Sequence, residues 1–122
     1  MTTAAQPTRV LGRTGLPVTA LGYGAMELRG APRGRDISDD DCRAVLNAVL
    51  DTGINYVDTS IDYGRSERLI GEAIAGRRSE YFLASKCGCV FGSDATQPVG
   101  QRSDHVFTPE NVISGVNGSL ER

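Results

Sequence analysis

Three times in succession a short apolar run gives way to a stretch whose apolar residues recur at helical spacing, and that rhythm decides the fold class. The first run, Leu21-Gly22-Tyr23-Gly24, leads through a Gly30 to Asp36 loop to the best-marked helix. Ser38 can cap that helix, Asp41 stands three residues on, and Asp39, Asp40 and Asp41 suit its positive end. Cys42, Val45, Leu46, Val49 and Leu50 then make one apolar face, and Gly53 follows the end. The second run, Ile54 to Thr59, precedes a helix over Ser66 to Ala75 with Leu69, Ile70, Ala73 and Ile74 on one side. The third, Tyr81 to Ser85, ends at Lys86. A polar, Gly-rich loop from Cys87 to Phe107 reaches Thr108, a cap, and Pro109, placed in a first helical turn where proline fits. Val112, Ile113, Val116 and Leu120 form the apolar face of this last helix, which Gly115 and Gly118 weaken.

Ahead of the alternation, Thr8 to Ala20 reads as a hairpin turning at Gly12-Arg13-Thr14-Gly15. Pro17 cannot donate to a ladder, so the hairpin belongs at an edge or rim. Strands alternating with helices imply a parallel sheet covered by helices. A doubly wound domain can begin this way, and so can an eight-stranded barrel of about 250 residues. Three parallel strands leave two open edges, so on either reading the 122 residues are expected to be an incomplete domain.

Composition narrows the function classes. Apolar residues at 39% and charged residues at 23% describe a globular chain. A net charge of −2 offers no electrostatic case for nucleic acid or anionic lipid, and the Arg29 to Arg35 cluster is expected to be a solvated loop. Met1 to Gln6 lacks a basic region followed by an apolar run, so no leader is expected, and no stretch approaches the ~20 apolar residues that cross a bilayer. Cys42, Cys87 and Cys89 make neither a disulfide framework nor a metal set, so the expectation is no metal and a reducing cytoplasm.

Three polar groups stand where strands end: Asp58, Tyr63 and Lys86. In α/β folds ligands bind outside the carboxyl ends of strands, so these side chains would converge. An ammonium beside a phenol stabilises the phenolate, and a carboxylate would keep that ammonium charged and in place. Such a tyrosine can give a proton to a carbonyl oxygen as negative charge develops there. Each residue also has an ordinary reading: Asp58 as a turn cap, Tyr63 as a packed rim residue, Lys86 as a surface lysine.

Asp58-Thr59-Ser60-Ile61-Asp62-Tyr63-Gly64 followed by Ser66-Glu67 resembles the aldo-keto reductase signature. Leu11 to Leu16, Leu21 to Met26, Asp51 to Asn55, Phe82 to Lys86 and Phe107 to Val112 resemble further motifs of that family, in order. The resemblance runs from about Thr8 to Arg122 and implies an N-terminal hairpin plus the first three βα units of a (β/α)8 TIM barrel, truncated. It implies reduction of small aldehydes or ketones by NADPH, with Tyr63 as general acid, Lys86 easing release of its proton, and Asp58 supporting Lys86 near the nicotinamide ribose. Gly24, Ala25 and Met26 would border the cofactor. The family's catalytic histidine belongs to a fourth strand; His105 does not match it and is expected to be a loop residue. Residues 1–122 alone are then expected to be inactive. Two rivals are a non-catalytic module that associates through its open sheet edge, and a potassium-channel auxiliary subunit sharing the barrel.

Overall fold

Helix α1 forms where the local chemistry asks for it. In the computed structural model, which describes residues 5–90 and 105–122, α1 spans Asp39–Asp51. The Asp41 amide donates to Ser38 Oγ at 3.1 Å, and the Ser38 hydroxyl donates to the Asp41 carboxylate at 2.7 Å. Gly53, at φ +84°, turns the chain away after the last turn, a conformation that costs glycine little. The buried stripe is narrower than the sequence pattern: Cys42, Leu46 and Leu50 are buried, Val49 is half-buried and Val45 is exposed. A single i, i+4, i+8 row meets the core, and its shoulders stay in water.

The hairpin is made by β1 (Thr8–Val10) and β2 (Pro17–Thr19), antiparallel, with Val10 opposite Pro17. Asn55 fastens it to the sheet. Its side-chain amide donates to Pro17 O at 2.9 Å, and its Oδ1 accepts from the Thr19 amide at 2.7 Å.

Strands β3 (Tyr23–Gly24), β4 (Tyr56–Asp58) and β5 (Phe82–Ala84) form a parallel sheet in that order. Each is shorter than its apolar run, because β4 alone has a neighbour on both sides and pairing ends with the shorter partner. The register places Gly24, Asp58 and Ala84 in one row. Helix α2 (Ser66–Ile74) follows β4 and packs on α1. Ala25, Leu28, Cys42, Leu46, Leu50, Val57, Leu69, Ile70, Ile74 and Tyr81 make one continuous core between sheet and helices. Burying each large aliphatic side chain there contributes roughly 1.5–3 kcal/mol before conformational entropy is counted.

Helix α3 (Pro109–Glu121) starts as its sequence indicates, with the Asn111 amide donating to Thr108 Oγ1 at 3.3 Å. Its apolar face does not join the core: Ile113 is 60% exposed and Leu120 81%. The buried residue is Gly115, where a Cβ would already stand 3.4 Å from Ile61 Cδ1. The helix therefore leans on its neighbours through a glycine and leaves Ile113, Val116 and Leu120 outside, with Val112 half-buried. Much of the loop expected over Cys87 to Phe107 lies outside the described residues, but its ends meet: the Val106 amide donates to Gly88 O at 2.7 Å, and Cys89 bridges to His105. The described residues show an open sheet and no closed barrel. No helix among them is long and apolar enough to cross a membrane.

Candidate active site

Because Gly24, Asp58 and Ala84 share a row, the segments leaving the three parallel strands emerge side by side. Lys86 follows Ala84 by two residues and reaches back across the sheet end. Its Nζ donates to Asp58 Oδ2 at 2.7 Å and to Thr59 O at 2.8 Å. The same Nζ lies 4.9 Å from the centroid of the Tyr63 ring. Burial works against the Lys86 charge, but hydrogen bonding and charge from Asp58 and Tyr63 outweigh it and raise its pKa above the ordinary lysine value. Both Lys86 and Asp58 remain partly open to solvent, so a ligand can reach them.

Tyr63 is returned to the strand ends by a tight turn. Its amide donates to Ser60 O at 3.0 Å, its carbonyl accepts from the Ser66 amide at 2.8 Å, and Gly64 between them sits at φ +49°. Below the turn, the Ser66 hydroxyl donates to Ala25 O at 2.9 Å, so the Thr59 hydroxyl must be the donor in its 2.9 Å bond with Ser66 Oγ. These buried bonds tie the residues just past β3 and β4 to the first residue of α2, beside the polar triad.

Gly24 is exposed beside Asp58, and a Cβ there would meet nothing within 4 Å. That open strip is where a flat ring could approach backbone. Met26 is exposed next to it, whereas Ala25 is turned into the core with its carbonyl held by Ser66. A cavity of about 570 Å³ also opens beside Lys86, between α2, β5 and α3, but its walls are Glu67, Ser85, Leu83 and Leu120 rather than Asp58 or Tyr63. Proton chemistry is offered at the triad, so the site is placed there.

The structure brings in residues that no spacing pointed to. Arg29, expected in a solvated loop, has its guanidinium carbon 4.9 Å from the Tyr63 ring centroid. Arg33 stands 3.7 Å from Asp62, with both side chains less than a fifth exposed. Arg35 alone of the cluster behaves as expected, largely solvated and 3.7 Å from Glu27. Behind the cluster, Arg65 donates to Leu28 O, Ile37 O and the Asp39 carboxylate. Glu67 is buried, and its carboxylate accepts from Ser85 at 2.5 Å, Ser119 at 2.9 Å and Arg122 at 2.7 Å. His105 is an exposed loop residue stacked against Phe107 at 6.0 Å between centroids.

Residues 20–122 match the model of the aldo/keto reductase family. Over 119 residues the chain is 36% identical to L-galactose dehydrogenase from Arabidopsis thaliana, covering 93% of this chain and 33% of the relative. It is 31% identical to a probable voltage-gated potassium channel subunit beta from Oryza sativa, covering 92% of this chain and 32% of that one. The crystal structure of an aldo-keto reductase from Pseudomonas aeruginosa superposes with a TM-score of 0.78 at 30% identity, covering 98% of this chain and 45% of that chain. The chain thus spans about a third of the length of the curated relatives it matches.

Proposed function

The chain belongs to the aldo/keto reductase family, and from that premise we propose that it supplies the acid–base corner of an NADPH-dependent reductase acting on small aldehydes and ketones. The observation that carries the reading is the single ammonium of Lys86 shared by Asp58, Thr59 O and the Tyr63 ring.

Tyr63 is the proton donor. As a carbonyl carbon is reduced, negative charge grows on its oxygen, and a phenol in hydrogen-bond reach can neutralise it. Lys86 compensates the charge left on the phenolate, and Asp58 keeps Lys86 charged and aimed. A nicotinamide cofactor bound against Gly24, Met26 and Asp58 would supply the hydride, with Ala25, buried under that strip, supporting it from behind. The open backbone at Gly24, with no atom within 4 Å of a Cβ position, fits such a ring. The rest of the barrel would add the groups that hold the cofactor's phosphates.

The test joins residues 1–122 to the remainder of the barrel and follows NADPH oxidation with small aldehydes. Tyr63→Phe is expected to lower turnover about 10²–10⁴-fold, the usual effect of removing a positioned general acid. Wild-type turnover in Tyr63→Phe, with cofactor binding unchanged, would overturn the assignment. A second reading, an auxiliary subunit of a potassium channel, draws on the likeness to the rice protein. It predicts co-purification of the completed protein with channel subunits and no turnover of any aldehyde.

A further inference from the structure

Two residues past the proposed acid, Arg65 makes contacts that proton transfer does not require. Its Nε donates to Leu28 O at 3.3 Å, and its other two nitrogens hold Ile37 O and the Asp39 carboxylate. These three acceptors bracket residues 28–39, the stretch between β3 and α1. Gly30 is packed under the guanidinium, where a Cβ would stand 2.8 Å from an Arg65 nitrogen, and its φ of +73° disfavours any other residue. Ser66 adds a tie at Ala25 O. The segment leaving β3 is therefore fastened at both ends to the turn that carries Tyr63.

What the fastened segment presents is cationic and faces the site: Arg29 against the Tyr63 ring, and Arg33 against Asp62. A planar guanidinium with donors on three nitrogens can bridge separated acceptors in this way, and a lysine ammonium on its flexible stem cannot hold the same plane.

We propose that Arg65 is a positioning residue that seats residues 28–37 as a fixed wall beside Tyr63, and that this wall sets how tightly the carbonyl substrate is held. The proposal rests on the reading of Tyr63 as proton donor. A wall ordered before binding spares the complex the entropy of ordering it. Contacts made equally in the bound and transition states appear in KM and not in kcat.

Two measurements test it, one of which needs no catalysis. In the 122-residue protein, trypsin cleavage after Arg29 and Arg33 is expected to speed up about tenfold in Arg65→Ala, as local opening becomes easier. Cleavage after Arg13 in the hairpin turn serves as the unchanged reference. In the completed reductase, Arg65→Ala is expected to raise the carbonyl KM about tenfold, the scale of one lost charge-assisted hydrogen bond. The kcat and the NADPH KM are expected to stay within about twofold. Arg65→Lys does not rescue the KM, and Gly30→Ala, which pushes on the guanidinium from the other side, reproduces the shift should Arg65→Ala fail to fold. Unchanged cleavage after Arg29 and Arg33 overturns the clip, and an unchanged carbonyl KM overturns the wall. If Tyr63→Phe keeps full turnover, the acid assignment fails separately, and the trypsin comparison still decides whether Arg65 fastens the segment.

Discussion

Lys86 makes the site a unit, because one ammonium satisfies a carboxylate, a main-chain carbonyl and the region of a phenol at once. Lys86→Met is expected to slow aldehyde reduction on the order of 10²-fold, comparable to removing a preorganised electrostatic donor. The double variant Tyr63→Phe/Lys86→Met should be hardly worse than Tyr63→Phe alone, since groups that act together are not additive. Measured kcat values for the four proteins of that cycle check it, and full additivity would show that Lys86 works independently of Tyr63. Asp58, Tyr63 and Lys86 were legible in the sequence because strand–helix alternation marks strand ends, and polar residues there converge. Arg29 and Arg65 were not. Two of Arg65's acceptors are the carbonyls of Leu28 and Ile37, and a main-chain oxygen carries no residue-type signal.

At the scale of elements, α1 and α3 show how far capping and periodicity reach. Both helices start at the residue the sequence marked, Ser38 and Thr108, because a cap is a local bond among neighbours. Their buried faces were read less well, since burial depends on what packs opposite. The core takes three residues from α1 and meets α3 through Gly115. Ser38→Ala is expected to cost about 1 kcal/mol in a denaturant titration, within the usual range for losing a cap. The pairing of α1 with α2 also carries an acid dependence. Glu72 on α2 accepts from Arg68 at 2.9 Å and from Arg43 on α1 at 2.8 Å, and the Arg68 hydrogen bond, ahead of the Arg43 contacts, holds its pKa below the ordinary 4.5. The folded state therefore gains from this carboxylate above pH 4.5 and loses the gain as pH falls through the lowered value. Thermal melts of Glu72→Gln and the wild-type protein should differ near neutral pH and converge below that range. A difference that persists in strong acid would point to packing instead of charge.

At the scale of the whole molecule, the open sheet decides what residues 1–122 can do alone. Among the described strands, β3 and β5 each have one neighbour, so each offers an unpaired row of amides and carbonyls. Large apolar groups stand close to water: Val10, Leu21, Phe107, Ile113 and Leu120 are all more than half exposed. A net charge of −2 supplies little repulsion between copies. Unpaired edges and apolar surface together favour association with other chains. The alternation made a helix-covered parallel sheet legible but left a doubly wound domain and a barrel both open; the described strands form an open sheet, and the chain covers 45% of the Pseudomonas structure. Residues 1–122 alone are therefore expected to self-associate, to bind NADPH weakly and to leave aldehydes unreduced, even with Asp58, Tyr63 and Lys86 in place. Those three residues can organise a proton, but the open strip at Gly24 offers one side of a cofactor site, and a reductase must also exclude water from the other. Gel filtration of the purified chain and a fluorescence titration with NADPH check this directly. A compact monomer that binds NADPH tightly and turns over an aldehyde would show that the open sheet is sufficient.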